Sequence, residues 1–196
     1  MMTIGHSTLP IEAFLDILGQ NACRTLVDIR TIPASRHNPQ FAGQALAEAL
    51  QTARIEYRWQ KNLGGLRRPR PDSPNSGWQN ASFRGYADYM LTPEFGAAID
   101  ELLAATPASD TVVMCAEAVP WRCHRSLIAD ALTARSIPAE HIFYRKAAGS
   151  ESGRDEYLSH RQAHALTSFA RVEGTQVWYP AADDLFAASL PPAHRQ

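Results

Sequence analysis

With 196 residues, 45% of them hydrophobic, and a formal net charge of −1, the chain can bury a sizeable core within one domain and an extension. That balance excludes an overall charge that draws the chain to nucleic acid or to an anionic membrane. It conceals 17 arginines against two lysines, Lys61 and Lys146. Arginine suits planar, two-point contact with phosphate or carboxylate, although biased composition accounts for most of these residues.

Three cysteines are an odd number, in a chain too long to need disulfides. No basic start leads into an apolar run, and no stretch is apolar enough to span a bilayer. These features predict a soluble, cytoplasmic protein with no membrane partner, in which Cys115 and Cys123 are thiols or ligands rather than a bridge.

Strand-like and helix-like patterns alternate along the chain. Residues 2–5 predict a short strand. Ser7 and Thr8 offer helix caps, Pro10 suits a first turn, and Ile11, Phe14, Leu15 and Leu18 share a helical face. "TLVDI" (25–29) predicts a buried strand, 44–53 a helix and 55–59 a third strand. Residues 62–83 are rich in Gly, Pro, Ser, Asn and Arg and predict a long loop, a form usually functional or mobile. Helices follow over 86–91 and 93–105, the second capped by Thr92 with Pro93 in its first position. "TVVMC" (111–115) is the clearest strand, 123–135 predicts a helix and 140–144 a fifth strand.

This alternation predicts an α/β fold: three layers, with a mostly parallel sheet of about five strands and helices on both faces. The α/β domain is expected to span residues 1–145. Residues 146–196 are expected to form a C-terminal extension: a linker-like break to 153, a helix over 154–171, a short edge strand over 175–179 and a frayed tail.

In open parallel sheets, ligands bind beyond the carboxyl ends of the strands. The predicted ends deliver His6 and Ser7 from "GHS", Asp28 and Arg30 from "DIR", and Ser35, Arg36 and His37 from the segment beyond it. "CAE" delivers Cys115 and Glu117, and the helix entrance "CHR" adds Cys123, His124 and Arg125. Separate stretches of sequence thus send polar groups to one rim.

"TIGHS", "VDIRTIPASR", "LGG", "FRGYADYM" and "CAEAVPWRCHRS", in this order, resemble the bacterial and archaeal domain-of-unknown-function 488 family over about residues 3–143. The resemblance implies a small α/β domain with matching positions at His6, Ser7, Asp28, Arg30, Ser35, Arg36, Cys115, Glu117, Cys123, His124 and Arg125. It implies no reaction, and nothing for residues 146–196.

Each residue carries a plain reading beside a chemical one. Cys115 is either a small buried apolar residue or a thiolate nucleophile. Arg122 follows it by seven residues, and the intervening loop has no glycine, which does not match the tight anion-cradling loops of rhodaneses or cysteine phosphatases. Cys123 and His124 near a helix start favour a thiolate or an anion. Arg125 either pairs with Glu117 or Asp28 or contacts substrate, and Asp28 orients His6 or Arg125. His6 is a general base if it reaches Cys115 or a substrate. Ser7 is expected at least to cap the first helix.

Four ligands for zinc are conceivable in Cys115, Cys123, His124 and His6, and a weaker set in His6, Asp28 and Glu117. The paired close spacing of structural zinc is absent, and adjacent Cys123 and His124 are expected to point apart. Neither a metal nor a cofactor is therefore expected. Arg67, Arg68, Arg70 and Trp78 in the long loop suit stacking and phosphate contact, or a solvated loop with Trp78 folded back.

Three functions remain open at this level. The first is an enzyme with an arginine-lined anion site (Ser7, Asp28, Arg30, Ser35, Arg36, Cys123, His124, Arg125) and Cys115, Glu117 or His6 as reacting groups. Its substrate would be a phosphorylated small molecule, a nucleotide or a nucleic-acid end. The second is a non-catalytic nucleotide or nucleic-acid binding module, and the third a metal-dependent site.

Overall fold

The run Thr111–Cys115 is buried along its whole length, as a strand covered on both faces must be. It is the fourth strand, β4, of the computed structural model, which describes residues 1–105, 107–148 and 155–181. Before it come β1 (Met2–Gly5), α1 (Ile11–Gln20), β2 (Thr25–Asp28), α2 (Gly43–Thr52), β3 (Glu56–Trp59), α3 (Ala81–Met90) and α4 (Pro93–Ala105). After it come α5 (Arg125–Thr133), β5 (Glu140–Lys146), β6 (Tyr157–Ala163), β7 (Arg171–Glu173) and β8 (Gln176–Trp178).

One sheet has the order β3-β2-β4-β1-β5-β6. Its first five strands pair in parallel and β6 pairs antiparallel to β5, so the fold is α/β with six strands in the sheet. Alternate residues of each strand face opposite layers. Leu26, Val112 and Met114 join Phe14, Ile17 and Leu46 of α1 and α2 on one face. Val27, Val113 and Cys115 join Tyr86, Ile99 and Leu127 of α3, α4 and α5 on the other. Two apolar cores therefore flank the sheet, which completes the three layers.

Two helix starts, those of α3 and α4, follow a side-chain cap. Asn80 accepts from the backbone N–H of Ser82 and Phe83, so α3 begins at Ala81, five residues before the predicted start. The Thr92 hydroxyl accepts from Phe95 N at the start of α4. Ser7 does not cap α1. The helix starts after Pro10 with no side-chain cap, and Ser7 instead takes a positive φ of 48° in the turn before it.

The predicted helix over 154–171 is a correction. Residues 157–163 form β6, which pairs with β5 over seven registered residues from Glu140–Ala163 to Lys146–Tyr157. The sheet's open edge supplies hydrogen bonds that outweigh a weak helical spacing of apolar residues. The strand expected over 175–179 does form, as β8, but not at the edge of the main sheet. β8 pairs with β7 in a separate hairpin that turns at Gly174, where φ is +59°. The predicted break over 149–153, the start at 154 and the tail from 191 lie outside the described residues.

Candidate functional site

Three adjacent strands, β2, β4 and β1, end on the same rim. The chain leaving β1 is tied to the chain leaving β4: His6 N donates to Cys115 O at 3.0 Å and Ser7 N to Ala116 O at 2.8 Å. The rim thus receives His6 and Ser7 from one strand, Asp28 and Arg30 from the next and Cys115 from the strand between them.

Asp28 is fully buried and belongs to Arg30, not to His6 or Arg125. Arg30 Nε donates to Asp28 Oδ1 at 2.9 Å, and Nη2 donates to Oδ2 at 2.5 Å. The Tyr57 hydroxyl adds a third bond to Oδ2 at 2.9 Å. Burial of a carboxylate requires such partners. Arg30 Nη1 then reaches His6 Nε2 at 3.3 Å, while His6 Nδ1 bonds the carbonyl of Ser7 at 2.8 Å. A carbonyl only accepts, so Nδ1 carries the proton and Nε2 offers its lone pair to Arg30. Burial pushes His6 down to about 4, with the Arg30 charge adding to the effect. His6 is therefore a neutral ring that holds Arg30, and its hydrogen bonds do not run to Cys115.

Across the rim, Cys123 and His124 turn toward Cys115. The helix α5 begins at Arg125, two residues later than the spacing predicts, which leaves Cys123 extended at φ −135° and ψ 142°. This backbone brings the two neighbouring side chains together rather than apart. His124 Nδ1 lies 3.7 Å from Cys123 Sγ and 3.9 Å from Cys115 Sγ, and all three atoms lie within 4.8 Å of one another. Its neighbour Cys123 and burial raise Cys115, whereas Cys115 lowers Cys123 well below an ordinary thiol, with His124 and Arg125 adding to that lowering. The pair therefore favours loss of a proton from Cys123 before Cys115. The third cysteine, Cys23, is buried elsewhere and pushed up to about 12.

The cluster lines a cavity of about 910 Å3. His6, Ser7, Arg30, Ser35, Glu117 and Arg122 also line it. Arg122 has no carboxylate partner among the described residues and is exposed to the cavity mouth. Arg36 is exposed and does not line the cavity. Arg125 pairs with neither Glu117 nor Asp28 through a carboxylate. It is buried and donates to the backbone carbonyls of Glu117 and Ala118, fixing the loop that carries Glu117.

The family model for "Domain of unknown function DUF488" matches residues 10–132, more than half of the chain. The chain belongs to this family. No curated protein and no solved structure matches it. The DUF488 stretch contains Asp28, Arg30, Cys115, Glu117, Cys123 and His124, whereas His6 and Ser7 lie just before its matched limit.

Sequence reasoning about this DUF488 domain leaves out several residues that shape the site. Gly65 faces His124 so closely that a Cβ there would sit 2.5 Å from Nδ1, so only glycine leaves the ring its place. Its signal is the "LGG" segment. Tyr86 packs on the same ring with centroids 4.9 Å apart. Tyr57 and Arg122 carry no spacing signal that marks them as part of the rim. The long loop uses its own polar groups: Arg67 stacks on Tyr89 at 3.6 Å, Arg70 pairs with Asp72, and Trp78 packs against Phe83, Phe169 and Tyr179. Among the described residues no helix is long and apolar enough to cross a membrane.

Proposed function

We propose that the rim cavity is the active site of an enzyme acting on a phosphorylated small molecule or nucleotide. The observation that carries this reading is the convergence of two buried cysteine sulfurs and an imidazole nitrogen in the lining of a cavity that arginine also lines. Strongly shifted thiols of this kind, in a cavity with convergent polar groups, mark reactive sites more often than packing sites. Cys123, which loses its proton before Cys115, is the electron-pair donor of the site. Arg122, which has no carboxylate partner among the described residues, supplies a planar cation for the anionic group, and Arg30 also lines the cavity. Ser7 and Ser35 offer hydroxyls, and the exposed apolar surface of Ile32 and Leu66 suits the uncharged part of a ligand. A site that needs a thiolate suits a reducing compartment such as the cytoplasm.

A non-catalytic nucleic-acid module has less support, because Arg67 is stacked on Tyr89, the exposed Arg70 is paired with Asp72, and Trp78 is packed among aromatic side chains. The test is brief alkylation of the reduced, chelator-treated protein by iodoacetamide at neutral pH, with each cysteine followed by mass. Cys123 is expected to label well before Cys23, and inorganic phosphate or adenosine monophosphate to slow it. Labelling of Cys123 only after denaturation overturns the reactive centre. Labelling that neither anion slows overturns the anionic substrate.

A further inference from the structure

We propose that Cys115, Cys123 and His124 bind one zinc(II) ion or a similarly borderline-soft divalent cation, with the fourth coordination position open to the rim cavity. The proposal deepens the reading of this cluster as a reactive centre and rests on it for the metal's use in catalysis.

The geometry is close to that of a loaded site. Bond lengths of about 2.3 Å to sulfur and 2.0–2.1 Å to nitrogen in a tetrahedron set sulfur–nitrogen separations of about 3.6 Å and sulfur–sulfur separations of about 3.8 Å. The two sulfur–nitrogen distances are 3.7 and 3.9 Å, and no pair of the three ligand atoms is more than 4.8 Å apart. Small side-chain rotations close the remainder. Two sulfurs and one imidazole nitrogen are a donor set that selects zinc over hard cations such as magnesium or calcium.

The chain spacing C-x7-C-H does not resemble the paired spacings of structural zinc. The fold supplies the third ligand in another way. Cys115 comes from the end of β4, and the extended backbone of Cys123, two residues before α5, places its sulfur beside the ring of its neighbour. Gly65 removes the one Cβ that would block His124. Nδ1 is the ring nitrogen that faces both sulfurs, while Nε2 is buried and makes no hydrogen bond among the described residues.

No fourth histidine, cysteine or carboxylate joins the group among the described residues. Closed structural sites use four protein ligands, whereas catalytic sites use three and keep one position for water or substrate. All three ligand residues line the cavity, so an oxygen of water or of an anionic substrate is the ligand the open position would take. Loading moves three lone pairs onto the cation and releases whatever protons the two thiols still hold to solvent. It requires no oxidant or reductant.

The experiment titrates reduced, chelator-treated full-length protein with cobalt(II), followed by zinc(II). One cobalt per chain is expected, with ultraviolet thiolate-to-metal charge-transfer absorption and the intense visible bands of a tetrahedral ion, both removed by one equivalent of zinc. C115S, C123S and H124A each weaken binding by about 100-fold or more, beyond the usual effect of losing a supporting partner. C23S leaves the spectrum unchanged. Should the cluster variants fail to fold, the wild-type protein gives the same answer: zinc shields Cys115 and Cys123 from iodoacetamide and a chelator restores their labelling. Sub-stoichiometric cobalt, a spectrum without charge transfer, or labelling indifferent to zinc overturns the metal site. Metal loading without protection by phosphate or adenosine monophosphate keeps the site and removes the anionic substrate. Protection of Cys123 by those anions in a protein that loads no metal does the reverse.

Discussion

The α-carbon of Gly5 lies directly against the carbonyl of Glu117, where a Cβ at position 5 would fall 1.6 Å from the oxygen. The same Cβ would lie 2.9 Å from Nη1 of Arg125, the group that holds this carbonyl. β1 can therefore lie beside β4 and still let the loop 116–119 fold over its end only if residue 5 has no side chain. G5A is expected to displace the loop and lower stability by about 2–4 kcal/mol, the range of severe steric changes in a packed interior. Urea unfolding measures the loss. Circular dichroism and alkylation of Cys123 show whether the fold survives while the site opens. Stability within 0.5 kcal/mol of wild type, roughly the limit for harmless substitutions, would mean that the loop has room to move.

Asp28 and Arg30 form the buried pair on which the opposite wall depends. D28N removes the charge that compensates a guanidinium only 7% exposed, and keeps the side-chain volume. Breaking one half of a buried pair in this way costs about 3–5 kcal/mol. Replacing both partners, as in D28N/R30M, should cost less than the sum of the two single changes, because no buried charge is left alone. A double-mutant cycle from denaturant unfolding decides it. Additive single effects would show that the two side chains act independently of each other.

The pattern of legibility follows from the physics of each element. The buried strands and amphipathic helices are readable because their apolar spacing reflects which side is covered; "TVVMC" and the helix containing Phe95 and Ile99 are cases of this. The rim was readable as a set of strand ends. The partner of each side chain was not. Arg125 bonds two backbone carbonyls that no sequence pattern marks, and Cys123 meets His124 because Cys123 is extended two residues before the helix. β6 was hidden for a different reason. Its identity comes from the edge of β5, and an edge strand with mostly exposed residues has no apolar alternation of its own.

Acidification should destabilise the protein through two histidines. Burial lowers both His6 and His141 to about 4; for His141 the neighbouring His164 and Arg125 add to the effect. In the unfolded chain each takes up its proton near the ordinary value of about 6.5. Between these limits the unfolded state holds more protons, so stability is fully present above about pH 7 and declines as pH falls toward 4. Each residue is nearly inaccessible and can contribute up to about 3 kcal/mol over the whole interval. Urea unfolding at pH 7 and at pH 5 is expected to show the decline. H141Q should reduce the difference between the two by about 2 kcal/mol. An unchanged difference would mean that His141 takes up its proton without opposing the fold.

Asp130 on α5 fastens the C-terminal residues to the helix that starts beside the sulfur cluster. It is fully buried and accepts from Thr167 N at 2.9 Å, Thr167 Oγ1 at 2.7 Å and Tyr179 Oη at 2.8 Å, with His164 Nε2 at 2.7 Å. His164 in turn meets His141 of β5 at 2.9 Å. Division of the chain near residue 145 is a proposal about folding units, and this carboxylate tests it. D130A leaves several buried polar groups without a partner, at about 1–3 kcal/mol for each. If the chain beyond β5 folds as a separate unit, hydrogen exchange in D130A should quicken over 164–179 while β1, β2 and β4 keep their protection. Cys123 labelling should then rise only slightly, because the loop 116–119 is held by Arg125 and not by Asp130. Equal loss of protection throughout the sheet would instead make the C-terminal residues an integral part of one cooperative domain.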